Sequence, residues 1–419
     1  MRTSGAETTP VWRRAPIFRL LLIALAAELG FAVLNVSVMP VYLKLDRGFS
    51  GTVFTTVLAA FLFSEAVFKP FAGHLTDKYG RRMFLILAPA LVVLTPLLSL
   101  AVPYTWGHAE VASFVGLRVI DGLAAAMLWP AIYAAVGEAV GPEERTQGMS
   151  LLNVCFMLGL ALGPLVGGVV NDLFGSRVPS FVLASALFLA TGLAAFRFAA
   201  KDSRKHRIAE GHALDEHRLQ DLIQCARKIP LVLALAFVVF LAVGLLLGVI
   251  KPLASELYGL SETQFGLLLL PAAVSMAILG VPISKWGERM GSRRAVQLGL
   301  LLCALGIWFV AVGAWYDFAR NLAFVAFSGA LVGVGFLLAI PSWQAAIGHI
   351  DPRRAGSYLG AVMTAQGVGA IVGVPLGGLL FDIGHFWPII ACAVTLGASV
   401  LLASVAIPVS DPVVEEVSE

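Results

Sequence analysis

Residues 73–82 read GHLTDKYGRR. Asp77, Lys78, Arg81 and Arg82 crowd on either side of Gly80, and long apolar runs flank the stretch. A chain that dissolves in water has no need to gather its charge into so short a break. A chain that crosses a bilayer does, because ionised side chains belong at the ends of its spans and not inside them. Of the 419 residues, 59% are hydrophobic and 13% are charged. Soluble domains carry about 25% charged residues. Apolar runs of about 20 residues, enough to cross a hydrocarbon core, recur along the whole chain.

Twelve such spans are expected, at about 17–42, 50–74, 82–104, 109–139, 147–171, 178–199, 230–257, 262–284, 295–315, 320–347, 356–381 and 385–408. Glycine and proline inside them do not exclude helix, since neighbouring helices re-satisfy the freed backbone groups. Arg13 and Arg14 precede the first run, and Ala24–Ala26 could mimic a cleavage site. The run continues to about Tyr42, too long for a signal peptide, so it reads as span 1. With the N-terminus inside, the outer loops hold Lys44, Arg47, Arg177, Lys251 and Arg320. Lys69 and Arg118 fall within spans, and the remaining Lys and Arg lie on the inner side. That bias puts both termini in the cytoplasm. A multi-pass protein of a bacterial inner membrane is the expected setting.

The fold class expected is therefore all-α and integral to the membrane, with two six-helix halves. The N-terminal tail is 1–16, the first half 17–199, the linker 200–229, the second half 230–408 and the C-terminal tail 409–419. The linker contains the longest polar stretch, Lys201–Lys228. It reads as a solvated connection, or as a short amphipathic helix using Leu214, Leu219, Leu222 and Ile223.

The halves repeat. At a shift of 210 residues, Gly159, Gly163, Gly167, Gly168 and Asp172 land on Gly369, Gly373, Gly377, Gly378 and Asp382. At a shift of 211, Asp77, Lys78 and Gly80 land on Glu288, Arg289 and Gly291, and Pro130 lands on Pro341. Parallel repeats of this kind place a substrate site near the midplane.

Five ionisable residues lie inside spans of the first half: Glu28, Glu65, Lys69, Arg118 and Asp121. Such groups are costly in lipid and are functional candidates. Glu65 and Lys69 at i, i+4, and Arg118 and Asp121 at i, i+3, are spaced to pair. Glu28 has no base at i±3 or i±4, so it is the first candidate for a proton-carrying group. Glu65 and Asp121 are the alternatives, and a fixed pairing of Glu28 with Arg118 would remove it from the list. Asn35, Trp129, Tyr133, Asn153, Met157, Trp343, Gln344 and Gln366 are polar, aromatic or thioether groups deep in spans. They are candidate substrate-cavity residues, although a mid-span Trp or Met also serves packing.

GHLTDKYGRR resembles the loop signature of the major facilitator superfamily, G-x-L-x-D-R-x-G-R-R, with Lys78 in place of the first Arg. Arg118–Gly122, RVIDG, resembles that family's R-x-x-Q-G motif, with Asp121 in place of Gln. GLALGPLVGG, at Gly159, Gly163, Pro164, Gly167 and Gly168, is similar to the span-5 motif of its antiporters, and Leu29–Pro40 to a pattern of its drug-efflux branch. The resemblance implies proton-coupled efflux of hydrophobic or amphipathic compounds by a monomer. Glu28, Glu65, Arg118 and Asp121 are the expected proton-coupling residues, and the resemblance points the same way for the acid in span 1. It implies a conformational latch at Gly73, Asp77, Lys78, Gly80, Arg81 and Arg82, with a degraded copy at Glu288 and Arg289; the charges could also serve topology alone. A carrier of a specific metabolite, sugar or lipid is the alternative.

No catalytic residues are expected, since the seven histidines read as loop or helix-end residues and no nucleophile–base cluster is evident. Cys155, Cys225, Cys303 and Cys392 have no metal-site spacing. No phosphate-cradling motif is present, so the expected energy source is the proton gradient, with no cofactor. Net charge of +3 decides nothing about nucleic acid by itself, and no nucleic-acid partner is expected. The expected partners are the bilayer, protons and a small molecule.

Overall fold

The computed structural model describes residues 10–104, 107–140, 144–199, 215–348, 350–351 and 354–407. The tail and linker positions outside these ranges, including Leu214, lie beyond the described residues. Within them the chain is helical and has no strand. Among the described residues, eleven helices are long and apolar enough to cross a membrane. The remaining expected span, 262–284, falls in the helix Glu262–Met290.

Prolines and glycines shape individual spans. Span 1 runs Ala15–Asp46. It widens into π-helical turns at Val33–Val38 and Tyr42–Asp46. Pro40 has no N–H to offer Val36, and a widened turn, with the Met39 N–H reaching Leu34, accommodates that loss. Span 3 divides into Arg81–Val92 and Thr95–Ala101, just before Pro96. Span 7 ends at Leu247, and a separate helix, Ile250–Tyr258, follows Gly248. The sequence reading extends span 7 to 257 and places Lys251 in an outer loop. The break instead turns Lys251 inward, 3% exposed and 2.8 Å from the Glu262 carboxylate.

The chain forms two compact units, Met1–Met39 with Ala60–Gly211, and Pro40–Ala59 with His212–Glu419. Residues 40–59, assigned by sequence to the first half, thus pack within the second unit. In that unit the linker contributes the helix Asp215–Lys228. Its Cys225 is buried in an apolar core with Trp343, Leu235 and Tyr358, and Asp221 pairs with Arg354 at 3.7 Å. This end of the linker is therefore docked, not merely solvated.

Repeat positions fold alike. Gly80 and Gly291 open spans 3 and 9 with φ of 98° and 83°, values that L side chains rarely adopt. Glycines at helical spacing let partner backbones approach closely, the usual device where lipid offers no hydrophobic drive. In the first unit, Gly159, Gly163 and Gly167 of span 5 lie against Glu28, Ala32 and Ser37 of span 1. In the second, Gly369, Gly373 and Gly377 of span 11 lie against Phe237, Leu241 and Leu245 of span 7.

At the end of the first unit near the GHLTDKYGRR loop, Arg14 forms two parallel bonds to Glu144, at 2.6 and 2.7 Å. These hold the Glu144 carboxyl below the usual carboxylate range. A depressed carboxyl stabilises the fold above its unfolded range, and the contribution is lost as pH falls through the folded value. Glu144→Gln should therefore lower the melting temperature at about pH 7 and leave it unchanged at about pH 3. Thermal unfolding of the two proteins at both pH values checks this.

Candidate functional site

The first unit holds four buried ionisable side chains on two spans, and one of them, Glu110, lies in the first turn of span 4. Glu28 is 5% exposed, and Arg118 and Asp121 are both 0% exposed. Arg118 and Asp121 pair at 2.6 Å, as their i, i+3 spacing allows. Arg118 also donates to Asn35 Oδ1 at 3.0 Å, and the Thr95 hydroxyl donates to Asp121. Arg118 Nε and Asn35 Nδ2 are buried with no hydrogen-bond partner. The pair is thus incompletely satisfied, a costly condition in a medium without water.

Glu28 stands apart from it. Among the described residues no base pairs with Glu28, and Arg118 is committed to Asp121 and Asn35. Gly159 covers the Glu28 stem; a Cβ there would fall 2.7 Å from the Cβ of Glu28. The matching contact in the second unit is Gly369 on Phe237. The atoms nearest Gly369 are backbone atoms of Phe237 and Leu241, so the second seam closes without a side chain under its glycine and packing alone does not call for an acid at the first.

Glu65 pairs with Lys69 at 2.8 Å, with Lys69 half exposed. The Glu65 charge reaches Glu28, and both Lys69 and Glu28 act on Tyr133. Gly122 makes this closeness possible. A Cβ there would fall 2.8 Å from Ser64 Cβ and 2.9 Å from Glu65 N, so spans 2 and 4 touch backbone to backbone. Ser64 adds a bond to the Val119 carbonyl at 2.7 Å. The structure thus gathers Glu28, Glu65, Lys69 and Tyr133 into one electrostatic group and Asn35, Arg118, Asp121 and Thr95 into another. Thr95 and Gly122 escape a search for charge, because one is a neutral hydroxyl and the other has no side chain.

The candidate cavity residues separate. Trp129 is 6% exposed and meets Phe156 edge-on, with centroids 5.0 Å apart. Trp343 is 1% exposed within the second unit's core. Both rings pack. Asn35 serves Arg118. Tyr133, Asn153, Met157 and Gln344 are exposed, and Gln366 is half-buried.

The GHLTDKYGRR loop is tied down by its arginines. Arg81 pairs with Glu138 at the end of span 4. Arg82 donates to the Phe196 carbonyl of span 6 at 2.8 Å. Lys78 is exposed, with its ammonium 5.3 Å from the Tyr79 ring centroid. A Cβ on Gly73 would meet nothing, and Arg289 is exposed. The side chains of Asp77 and Glu288 lie outside the described residues. In span 5, Pro164 and Gly168 are buried, and the Pro164 carbonyl accepts a long bond from Ser37 at 3.5 Å.

Comparison with known proteins matches this arrangement to one family. The model of the Major Facilitator Superfamily matches residues 20–246 and again 232–419. "Multidrug resistance protein 2" of Bacillus subtilis is 27% identical over 372 residues, covering 86% of this chain and 88% of that protein. "Quinolone resistance protein NorA" of Staphylococcus aureus is 24% identical over 383 residues, covering 88% and 91%. Among solved structures, a bacterial homologue of the lysosomal transporter Spinster aligns with a TM-score of 0.75 at 14% identity, covering 95% and 97%. The nucleoside transporter NupG (D323A mutant) aligns at 0.74 and 13%, covering 93% and 98%. These structures share the fold. The family model covers both repeats, and the chain is a multi-pass membrane protein belonging to the major facilitator superfamily of transporters.

Proposed function

We propose that the chain exports hydrophobic or amphipathic small molecules in exchange for protons, by alternating access. The observation that carries this reading is Glu28, a buried acid that Gly159 covers and that has no base against it among the described residues. An isolated carboxylate away from water is an uncompensated charge. Either a proton or a positively charged compound neutralises it, and competition between the two is what an exchanger needs. A ligand moves such a cycle only by binding its states differently. The names of the bacterial relatives support drug-like cargo. So do the accessible Tyr133, Asn153, Met157, Gln344 and Gln366, which are uncharged and in part aromatic or soft.

In this reading both termini face the cytoplasm, the proton gradient is the energy source and the working unit is a monomer in the bacterial cell membrane. Arg118 and Asp121 hold the first unit in register around Glu28, and the loop at Gly73–Arg82 latches the cytoplasmic ends. The test uses purified protein in vesicles with an imposed pH gradient. Internal pH is followed while lipophilic cations, neutral drugs, lysolipids, sugars and nucleosides are added in turn. Proton movement evoked by the lipophilic compounds is expected. Movement evoked solely by a sugar or nucleoside would replace this reading with a specific carrier.

A further inference from the structure

The start of span 2 is held by an acid from span 11. A helix leaves its first backbone N–H groups without intrahelical acceptors. In the helix Gly51–Tyr79, the Val53 N–H is taken by the Ser50 hydroxyl at 3.3 Å. The N–H groups of Gly51 and Thr52 are taken by the two carboxylate oxygens of Asp382, at 2.5 and 2.8 Å. The Thr52 hydroxyl adds a third bond to Asp382, at 2.7 Å. An anion at this point also meets the positive end of the helix dipole.

The surfaces behind the carboxylate fit closely. Gly378, one turn before Asp382, lies directly on Gly51 and on the Thr55 hydroxyl, leaving no room for a Cβ. Phe54 meets Phe381 edge-on at 6.1 Å, and the Lys44 ammonium sits 5.1 Å from the Phe381 centroid. These contacts explain why Pro40–Ala59 belongs to the second unit, although its sequence belongs to the first repeat.

Three features mark this contact as releasable. The Thr52–Asp382 bonds are exposed, so water can receive the donors and the carboxylate when they part. Gly51 and Gly378 themselves put no side chain across the contact. One carboxylate makes all three bonds, so they break together. The contact lies at the end of span 2 opposite the Gly73–Arg82 loop, roughly 40 Å away along a 29-residue helix.

We propose that Asp382 is a clasp that closes the end of spans 2 and 11 remote from the GHLTDKYGRR loop, and that release of Gly51 and Thr52 is a step in opening that end. The clasp rests on the alternating-access reading above, and its test separates the two. Thr55 is 0% exposed beneath the clasp, so Thr55→Cys reports opening. With the four native cysteines replaced by serine, labelling of Thr55→Cys by a membrane-impermeant maleimide is timed in vesicles. Asp382→Ala should speed labelling about tenfold through a larger open population. Thr52→Ala, which removes one bond, should speed it less, and Asp382→Glu should stay near the parent rate. An unchanged rate in Asp382→Ala would overturn the clasp.

A second arm pairs Thr52→Cys with Asp382→Cys. Oxidation should arrest transport and reduction should restore it. Full transport by the cross-linked protein would overturn the clasp and leave the exporter reading intact. Accelerated labelling in a protein that moves none of the test compounds would leave the clasp standing and sink the exporter reading.

Discussion

Glu28→Gln should abolish substrate-driven proton movement while leaving the fold intact. The amide keeps the shape that Gly159 covers and removes a charge that no base offsets. Folding stability should stay level or rise, because an unpaired buried charge costs more than a neutral amide. Proton flux in vesicles should fall by about 100-fold, the scale on which a positioned proton carrier contributes. Glu28→Met sharpens the point. Methionine keeps the unbranched Cβ–Cγ stem that Gly159 covers and carries no charge, so this variant should also fold and also fail to exchange. Full proton exchange by either variant would move the coupled proton to Glu65 or Asp121.

The second large effect belongs to the Arg118–Asp121 pair, and it falls on stability. Both side chains are fully buried. Removing one partner from such a pair strands the other, at a cost of about 3–5 kcal/mol. Replacing both with apolar side chains of similar volume is often neutral. Arg118→Ala and Asp121→Ala should therefore unfold or fail to accumulate in the membrane, while the double variant Arg118→Met with Asp121→Leu should regain most of the melting temperature. Asn35→Leu, which removes only the 3.0 Å bond to Arg118, should cost less than either single loss. Melting curves in detergent for the four proteins check the order. A double variant no more stable than the single ones would show that the site's remaining polar groups depend on this ion pair.

Much of this was legible in the residues themselves. The apolar runs, the charge breaks between them and the repeated glycines declare a two-half helical membrane protein, because lipid permits few other solutions for such a chain. The pairing of Arg118 with Asp121 and of Glu65 with Lys69 follows from helical spacing. What spacing does not disclose is contact between distant spans. Nothing local says that Asn35 reaches Arg118, that Thr95 caps Asp121 or that Gly122 lets span 4 settle on span 2. Lys251 looks like an outer-loop cation until the break after Leu247 turns it toward Glu262. Trp129 and Trp343 look like ligand contacts because an aromatic ring serves a core and a cavity equally well. Asp382 is visible as the twin of Asp172, but its hold on Gly51 crosses from one repeat to the other.

The most direct measurement is the count of protons released when a lipophilic cation binds the purified protein in weakly buffered detergent solution. If a single carboxyl trades its proton for the compound, wild type should release about one proton per molecule bound near neutral pH, and Glu28→Gln should bind and release none. Equal release from both proteins would contradict the assignment of the exchange to Glu28.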